Sequence, residues 1–410
     1  MAKTEKILTK NWGHINPLKI ADYINVGGYG ALKKFVSEMK PQTAIAEIVK
    51  SKLSGRGGAG FLTGEKLKIV AENASHEKYF ICNLEESEPG TYKDRMIVDN
   101  DPHLLLEGVI IAALAVGAHK AYLYLNGNYH KQKEILETAL EAARKKNFWG
   151  PGIMGSSYDL DIEIFSGAGA YICGEETALL NSIEGRRGEP RLRPPYPTET
   201  GLFGKPTCVN NAETIANIPW IILNSGKKYA KLGATCSPGM KLYILGGSVK
   251  KPGVVEAPTG LTIRELIDEI GGGVTLGKEF WFAQIGGASG HLVTEKELDT
   301  PLTFSRDCPI PLGSGSILVV DKSANIYDLI LSWTEFFRRE SCGKCVPCRE
   351  GTFRLHEIVS RWQDGEISER DREALKDILW TLENTTFCPL GRFAATAMGD
   401  AVEKLKILCK

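Results

Sequence analysis

The residues best suited to inorganic chemistry in this 410-residue chain are three thiols on one loop and a fourth farther along. Cys342-Gly-Lys-Cys345-Val-Pro-Cys348 holds the three. Cys388 follows after two predicted helices, over 350–362 and 368–383, and precedes Pro389. A cubane [4Fe–4S] cluster takes four thiolates, and CxxCxxC can present three of them to adjacent corners while a distant residue closes the last. Structural zinc more often draws on two CxxC pairs. The three-plus-one division therefore favours iron–sulfur over zinc. Arg338, Arg339, Lys344 and Arg349 flank the loop. Beside an anionic cluster they would favour its reduced state, and they read equally well as a solvated helix end. Such a site suggests electron transfer rather than hydrolysis.

Three further segments could hold an organic ligand. Gly55-Arg56-Gly57-Gly58-Ala59-Gly60 satisfies GxGxxG literally, but a helical pattern precedes it where a dinucleotide fold has a strand. A glycine-rich link between helices is its plain reading. Phe61 and Lys66 beyond it are what a planar, phosphorylated cofactor could use. Ser166–Gly174 is a glycine loop between a predicted strand and a predicted helix over 175–184, a unit that aims backbone N–H groups at a ligand. Glu175 and Glu176 open that helix, where its dipole alone explains carboxylates and where a phosphate would be repelled. A ring or ribose suits this loop better. Asn210, Asn211 and Thr214 open another predicted helix, over 211–224. They act as caps or, since two asparagines exceed what capping needs, as phosphate ligands. Glu85, Glu86 and Glu88 follow a predicted strand, 79–84, at the end where parallel sheets gather ligands.

The elements that must position these residues alternate. Predicted helices over 63–74, 102–117 and 130–146 separate predicted strands 79–84, 120–126 and 160–165, a pattern that favours a mostly parallel sheet with helices against it. A long connection, 185–209, carries four arginines and five prolines, and loops of that length are usually functional. The organisation reads as an N-terminal helical segment (1–50), an α/β ligand-binding domain (51–238), a smaller unit (239–322) and a helical tail with the cysteines (323–410). In the smaller unit, strands are predicted over 241–245, 280–285 and 316–320, with a helix over 262–270. Fifty basic residues balance fifty acidic ones, which argues against a nucleic-acid partner. The longest uncharged stretches are 13 residues, too short for a membrane span of roughly 20. No apolar h-region follows the first ten residues, so a reducing, cytoplasmic setting is expected, with thiols as ligands or space-fillers.

Taken together, GRGGAGF at 55–61, ESEPGTYKDR at 86–95, GAGAYICGEETAL at 167–179, GKPTCVNNAET at 204–214 and ESCGKCVPCREG at 340–351 resemble the family of NADH-oxidising, FMN-binding subunits of respiratory complex I. Diaphorase subunits of NAD-linked hydrogenases and formate dehydrogenases share the pattern. The resemblance implies a Rossmann-like flavin domain, a β-grasp (ubiquitin-like) domain and a C-terminal helical bundle with the [4Fe–4S] cluster on Cys342, Cys345, Cys348 and Cys388. It places FMN against Gly55, Arg56, Gly57, Lys66, Asn83, Glu85, Tyr171, Gly174, Glu175, Glu176, Val209, Asn210, Asn211 and Thr214. NADH would stack on the flavin near Glu88 and Glu176, its adenine among aromatics that include Phe61. Three positions depart from the family pattern: Ile69 replaces a second stacking phenylalanine, Arg193-Pro-Pro-Tyr196 replaces KPPF, and Asn83-Leu-Glu85-Glu-Ser87 replaces NADES. The implied partners are a [2Fe–2S] thioredoxin-like subunit and a larger iron–sulfur subunit, which would hold the chain at the cytoplasmic face of the inner membrane without inserting it. A zinc-stabilised scaffold without catalysis is the non-enzyme alternative.

Overall fold

The computed structural model describes residues 5–305 and 307–407, so Cys409 lies outside the described residues. Its centre is helix α6 (Pro102–Val116), in which all fifteen residues are buried. A helix apolar around its whole circumference has to be enclosed. Asp101 caps it by accepting the Leu104 N–H at 3.1 Å, Pro102 follows the cap, and Gly117 ends it at φ +76°. Around it pack α1 (Ile20–Asn25), α2 (Gly30–Glu38), α3 (Pro41–Ser51), α4 (Thr63–Glu72), α5 (Lys93–Asn100) and α7 (His130–Lys145).

Strands β1 (Tyr79–Leu84), β2 (Lys120–Leu125), β3 (Asp161–Ser166) and β4 (Thr207–Asn211) form one parallel sheet in the order β3-β2-β1-β4. Side chains alternate across β1. Phe80, Cys82 and Leu84 join the apolar cluster that contains α6 and residues 7–53, whereas Ile81 joins a second cluster on the opposite face. The N-terminal helices therefore share a core with the α/β unit. The strand order reverses between β1 and β4, so the crevice at their carboxyl ends is the topological switch point where such sheets take ligands.

Helix α8 (Glu176–Ile183) lies on the opposite face. Where one helix is expected over 211–224, the structure has α9 (Ala212–Ala216) and α10 (Ile218–Asn224). Pro219 supplies no N–H and its ring crowds the carbonyl four residues back, which interrupts the first helix. The short α11 (Gly226–Tyr229) and two two-residue strands, β5 (Gly233–Ala234) and β6 (Ser237–Pro238), lead out of this unit.

A second, five-stranded sheet follows in the order β10-β9-β11-β7-β8. It comprises β7 (Met240–Gly247), β8 (Gly253–Pro258), β9 (Phe280–Ile285), β10 (His291–Val293) and β11 (Ser316–Asp321). Only β11 and β7 pair in parallel. The helix expected over 262–270 is a wide π-type turn at Glu265–Ile270. The chain closes with α12 (Ile326–Glu340), α13 (Val346–Gln363), α14 (Glu369–Thr385, capped by Ser368) and α15 (Pro389–Lys404). Their apolar faces join the second cluster, which also takes in α8 and the outer face of the parallel sheet.

One buried carboxylate ties the N-terminal helices to α6. Glu107 accepts from the Tyr23 hydroxyl at 2.5 Å, the Tyr29 N–H at 3.0 Å and the Leu32 N–H at 2.9 Å. Glu107→Ala would orphan these donors, and a buried unsatisfied donor costs about 1–3 kcal/mol. The expected outcome is a loss of about 3 kcal/mol in urea unfolding, read as a lower midpoint at unchanged slope. An unshifted midpoint would show that the N-terminal helices are held by apolar packing alone.

Candidate active site and cluster pocket

Two sites adjoin one short helical turn, Tyr171–Gly174. On its far side Cys342, Cys345, Cys348 and Cys388 line one small pocket with Ile172, Pro190, Lys344, Phe387 and Leu390. Cys345 precedes the first turn of α13, Cys348 lies within it, and Cys388 directly precedes α15. Helix N-termini favour a thiolate over a thiol. Burial, with the neighbouring thiols as a lesser cause, pushes Cys348 up to about 12 and Cys388 up to about 11. Four crowded thiols need a cation to be held together as thiolates, and iron supplies that charge. Four cysteines on one lining, three from a tight loop and one from the start of a distant helix, are the donor set a [4Fe–4S] cluster takes.

The basic residues beside the cysteines divide in role. Arg338 and Arg339 pair with Glu335 on their own helix, the plain reading of those charges. Lys344 donates to the Pro190 carbonyl at 2.7 Å, Arg349 donates to the Gly343 carbonyl at 2.9 Å, and Arg187 donates to the Cys342 carbonyl. The Lys344 and Arg187 bonds tie the cysteine loop to the long arginine-rich connection, and the Arg349 bond closes the loop onto α13.

The second site opens at the β1–β4 switch point. Thr207–Asn211 is a strand here rather than the lead-in to a helix, so Val209, Asn210 and Asn211 come from the end of β4. Lys66 reaches across from α4 and donates to Glu176 Oε2 at 3.0 Å and to the Val209 carbonyl at 3.1 Å. Its ammonium also stands 5.9 Å from the centre of the half-exposed Phe61 ring. Arg193 pairs with Glu175 and lies 3.4 Å from Glu176 Oε1. Glu175 caps α8 by accepting from the Thr177 and Ala178 N–H groups, as its position in the first turn suggests. Tyr196 is exposed on the long connection.

Asn211 is fixed from three directions. Its Oδ1 accepts the Glu213 N–H at 3.0 Å, its amide donates to Asp94 at 2.6 Å, and a Cβ on Gly57 would lie 3.1 Å from its own Cβ. Gly57 lets the glycine loop approach β4 this closely. Gly55 lies against Phe61, whose carbonyl accepts the Gly55 N–H at 2.8 Å. Thr214 accepts the Arg56 N–H at 2.7 Å. The Arg56 guanidinium donates through Nη2 to the Pro238 carbonyl and the Tyr229 hydroxyl and lies over the Phe304 ring, while its buried Nε and Nη1 make no hydrogen bond among the described residues. Arg56 thus offers its backbone to this crevice and its side chain to another part of the fold.

The Asn83 amide donates to the Gly174 carbonyl at 3.0 Å, and Asn83 Oδ1 accepts the Glu85 N–H. Glu85 accepts from Asn126 at 2.9 Å, and burial pushes it up to about 7. Its Oε2 and the nearby Ser87 hydroxyl are both buried, and neither makes a hydrogen bond of ordinary geometry. A buried carboxyl oxygen and hydroxyl left without ordinary hydrogen bonds fit a ligand with several hydroxyls, as FMN has. Asn210 donates to Cys208 Sγ at 3.2 Å and keeps its carbonyl oxygen uncommitted among the described bonds.

Glu88 is held against a loop of the second sheet, where Ser289 donates to it. Sequence reasoning missed Ser289, though its glycine-rich setting, Gly286-Gly287-Ala288-Ser289-Gly290, was a visible signal. Lys93 and Asp94 were also missed as site residues. They sit in a buried ionic group with Glu213 and Lys241 that joins α5, α9 and β7.

The geometry agrees with what known proteins show. The Nuo51 FMN-binding domain family matches residues 48–220, the NADH-ubiquinone oxidoreductase-F iron-sulfur binding region matches 328–406, and the SLBB domain matches 241–290. The F-type subunit of NADH-quinone oxidoreductase from Aquifex aeolicus is 45% identical over 94% of this chain and 89% of its own length. The chain belongs to the family of F-type NADH-quinone oxidoreductase subunits. Membership makes it an NADH-oxidising flavoprotein with FMN and a [4Fe–4S] cluster. The HndC subunit of the NADP-reducing hydrogenase of Solidesulfovibrio fructosivorans is 40% identical over 95% of this chain and 80% of its own. A crystal structure of NAD+-reducing [NiFe]-hydrogenase superposes with a TM-score of 0.86 at 32% identity, covering 99% of this chain. This chain spans 66% of that hydrogenase chain's length.

Proposed function

We propose that the chain admits electrons to a complex I-type NADH:quinone oxidoreductase, with NADH docking at the open end of the β1–β4 crevice beside Glu88 and Glu176. The observation that carries this reading is the shared turn: Gly174 accepts from Asn83 of the flavin crevice while Ile172, two residues earlier, lines the cysteine pocket. One short segment would thereby adjoin both groups, which suits electron transfer between them.

When bound, FMN supplies hydride acceptance and single-electron release, the conversion a two-electron donor and a one-electron cluster require. The protein supplies position and charge. Lys66, Asn210 and Asn211 would hold the phosphate, Asn83, Glu85 and Ser87 would meet hydroxyl or ring atoms, and the glycine loop at 55–60 would let a ring approach the backbone. Tyr171 belongs to the shared turn, its N–H donating to Glu340 at 2.7 Å. Phe61 and Ile69, both half-exposed, offer an apolar face for the adenine, with Tyr196 from the long connection as the second wall. Ile69 in place of an aromatic ring loses stacking but keeps apolar contact. Arg193 and Glu176 meet the ribose and pyrophosphate.

Glu176→Gln is expected to raise KM for NADH about tenfold, because the neutral amide weakens charged bonds to Lys66 and Arg193, while FMN stays bound. Steady-state kinetics with flavin analysis checks this. Wild-type kinetics would remove Glu176 from the site.

The five-stranded sheet reads as a β-grasp. A β7–β8 hairpin, an intervening helical turn and a return strand β11 parallel to β7 support that reading. Electrons leaving the cluster need an acceptor chain, a [2Fe–2S] thioredoxin-like subunit and a larger iron–sulfur subunit. Among the described residues no helix is long and apolar enough to cross a membrane. Attachment at the cytoplasmic face of the inner membrane would therefore run through those partners. The similarity to HndC supports a second reading, a diaphorase subunit of an NAD-linked hydrogenase. Purifying the tagged chain with its natural partners distinguishes the two, since only the second assembly contains a hydrogenase subunit.

A further inference from the structure

The segment after β1 is fastened to the second sheet at three points. Ser289 donates its N–H to Glu88 Oε1 at 3.0 Å and its hydroxyl to the same oxygen, across 201 residues of sequence. Ser316 donates to the Gly90 carbonyl at 3.0 Å, and Thr91 meets Ser314 at 3.1 Å. Gly287 has φ +95°, and a Cβ built on it would lie 2.5 Å from Glu88 Cδ and 2.6 Å from Glu88 Oε2. Only glycine combines that backbone conformation with room for the carboxylate. Tyr171, from the turn shared by the two sites, contacts both Glu88 and Ser289.

We propose that Gly287 and Ser289 are positioning residues of the NADH site: the β9–β10 loop fixes the orientation of the Glu88 carboxylate. The second sheet is then part of the catalytic unit rather than a spacer between the flavin domain and the bundle. This rests on the reading that Glu88 faces NADH. Burial alone pushes Glu88 up, and the two Ser289 donors oppose that push. Tyr171 and Lys93 are the titratable groups around Glu88, with Glu340 beyond Tyr171. Loss of the Ser289 hydroxyl donor, with the backbone N–H donor kept, therefore moves the Glu88 titration to higher pH.

The test uses the full chain loaded with FMN and iron, in wild type and in Ser289→Ala, Ser289→Thr, Gly287→Ala and Glu88→Gln. Measurements are FMN and iron content, NAD+ dissociation by equilibrium dialysis, KM against kcat for NADH, and the pH profile of kcat/KM. Ser289→Ala should raise KM and the NAD+ dissociation constant about tenfold, as expected for loss of a charge-assisted bond, and move the profile's inflexion upward. Ser289→Thr, which keeps both donors, should restore the wild-type values. Gly287→Ala should reproduce the Ser289→Ala defect with FMN content intact. Wild-type KM and pH profile in Ser289→Ala, with both altered in Glu88→Gln, would overturn the proposal and leave Glu88 in the NADH site. Wild-type behaviour in Glu88→Gln would overturn both. Loss of FMN or iron in Ser289→Ala would overturn it in favour of a scaffold role.

Discussion

Cys388→Ser is expected to yield a protein that has lost its cluster yet still bleaches on addition of NADH. Cys388 stands directly before α15 and supplies the one ligand that lies outside the loop at 342–348. A serine hydroxyl is a poor substitute for a soft thiolate, so iron content and the cluster spectrum should disappear. The flavin crevice draws its side chains from α4, β1, β4, α8 and the loops after them, none of which contains Cys388. Reduction of one-electron acceptors that depend on the cluster should fall with the iron, while flavin bleaching persists. Iron and acid-labile sulfide analysis with a visible spectrum checks this. Loss of FMN along with the iron would show that the turn Tyr171–Gly174 needs an intact cluster to hold its shape.

Lys66→Met should have the larger effect on the flavin itself. The ammonium joins Glu176 and the Val209 carbonyl, and so links α4, α8 and β4 around the crevice. Its side chain is mostly buried beside Glu176, which makes the charge less screened than at an open surface. Methionine keeps the length and removes the charge. A lost charged hydrogen bond is worth about 1.5–3 kcal/mol, so FMN affinity should fall by about one to two orders of magnitude, measurable by quenching of free flavin fluorescence. The variant should regain NADH-dependent bleaching when FMN is supplied in excess. Wild-type FMN affinity would place the phosphate elsewhere.

Much of this architecture was visible in the residues, for reasons that differ by element. Tyr79–Leu84 and Phe280–Ile285 appear at the bounds their apolar runs predict, because a strand buried on both faces is a short continuous apolar block. Asp101-Pro102 marks the start of α6 because cap chemistry is local. Thr207–Asn211 escaped recognition as a strand because its last two residues are asparagines, kept for the crevice rather than for the core. Helix α5 escaped because Lys93 and Asp94 look like a solvated turn, whereas they are buried in an ionic group that only tertiary structure assembles. The same limit applies within the site. The cysteine spacing and the glycine loops are local signals, but the Lys66–Glu176 pair joins positions 110 residues apart, and the Glu88–Ser289 contact joins two domains. Arg56 also carries a contact that the motif does not announce: its guanidinium reaches Pro238 and Tyr229, far along the chain.

The most direct test is an anaerobic titration of the purified chain, loaded with FMN and iron, with NADH while flavin absorbance and the cluster's paramagnetic signal are followed in one sample. The flavin band should bleach and the cluster signal should rise together, with NAD+ formed in proportion to the electrons taken up. Full occupancy by both groups with no bleaching on addition of NADH would contradict the account.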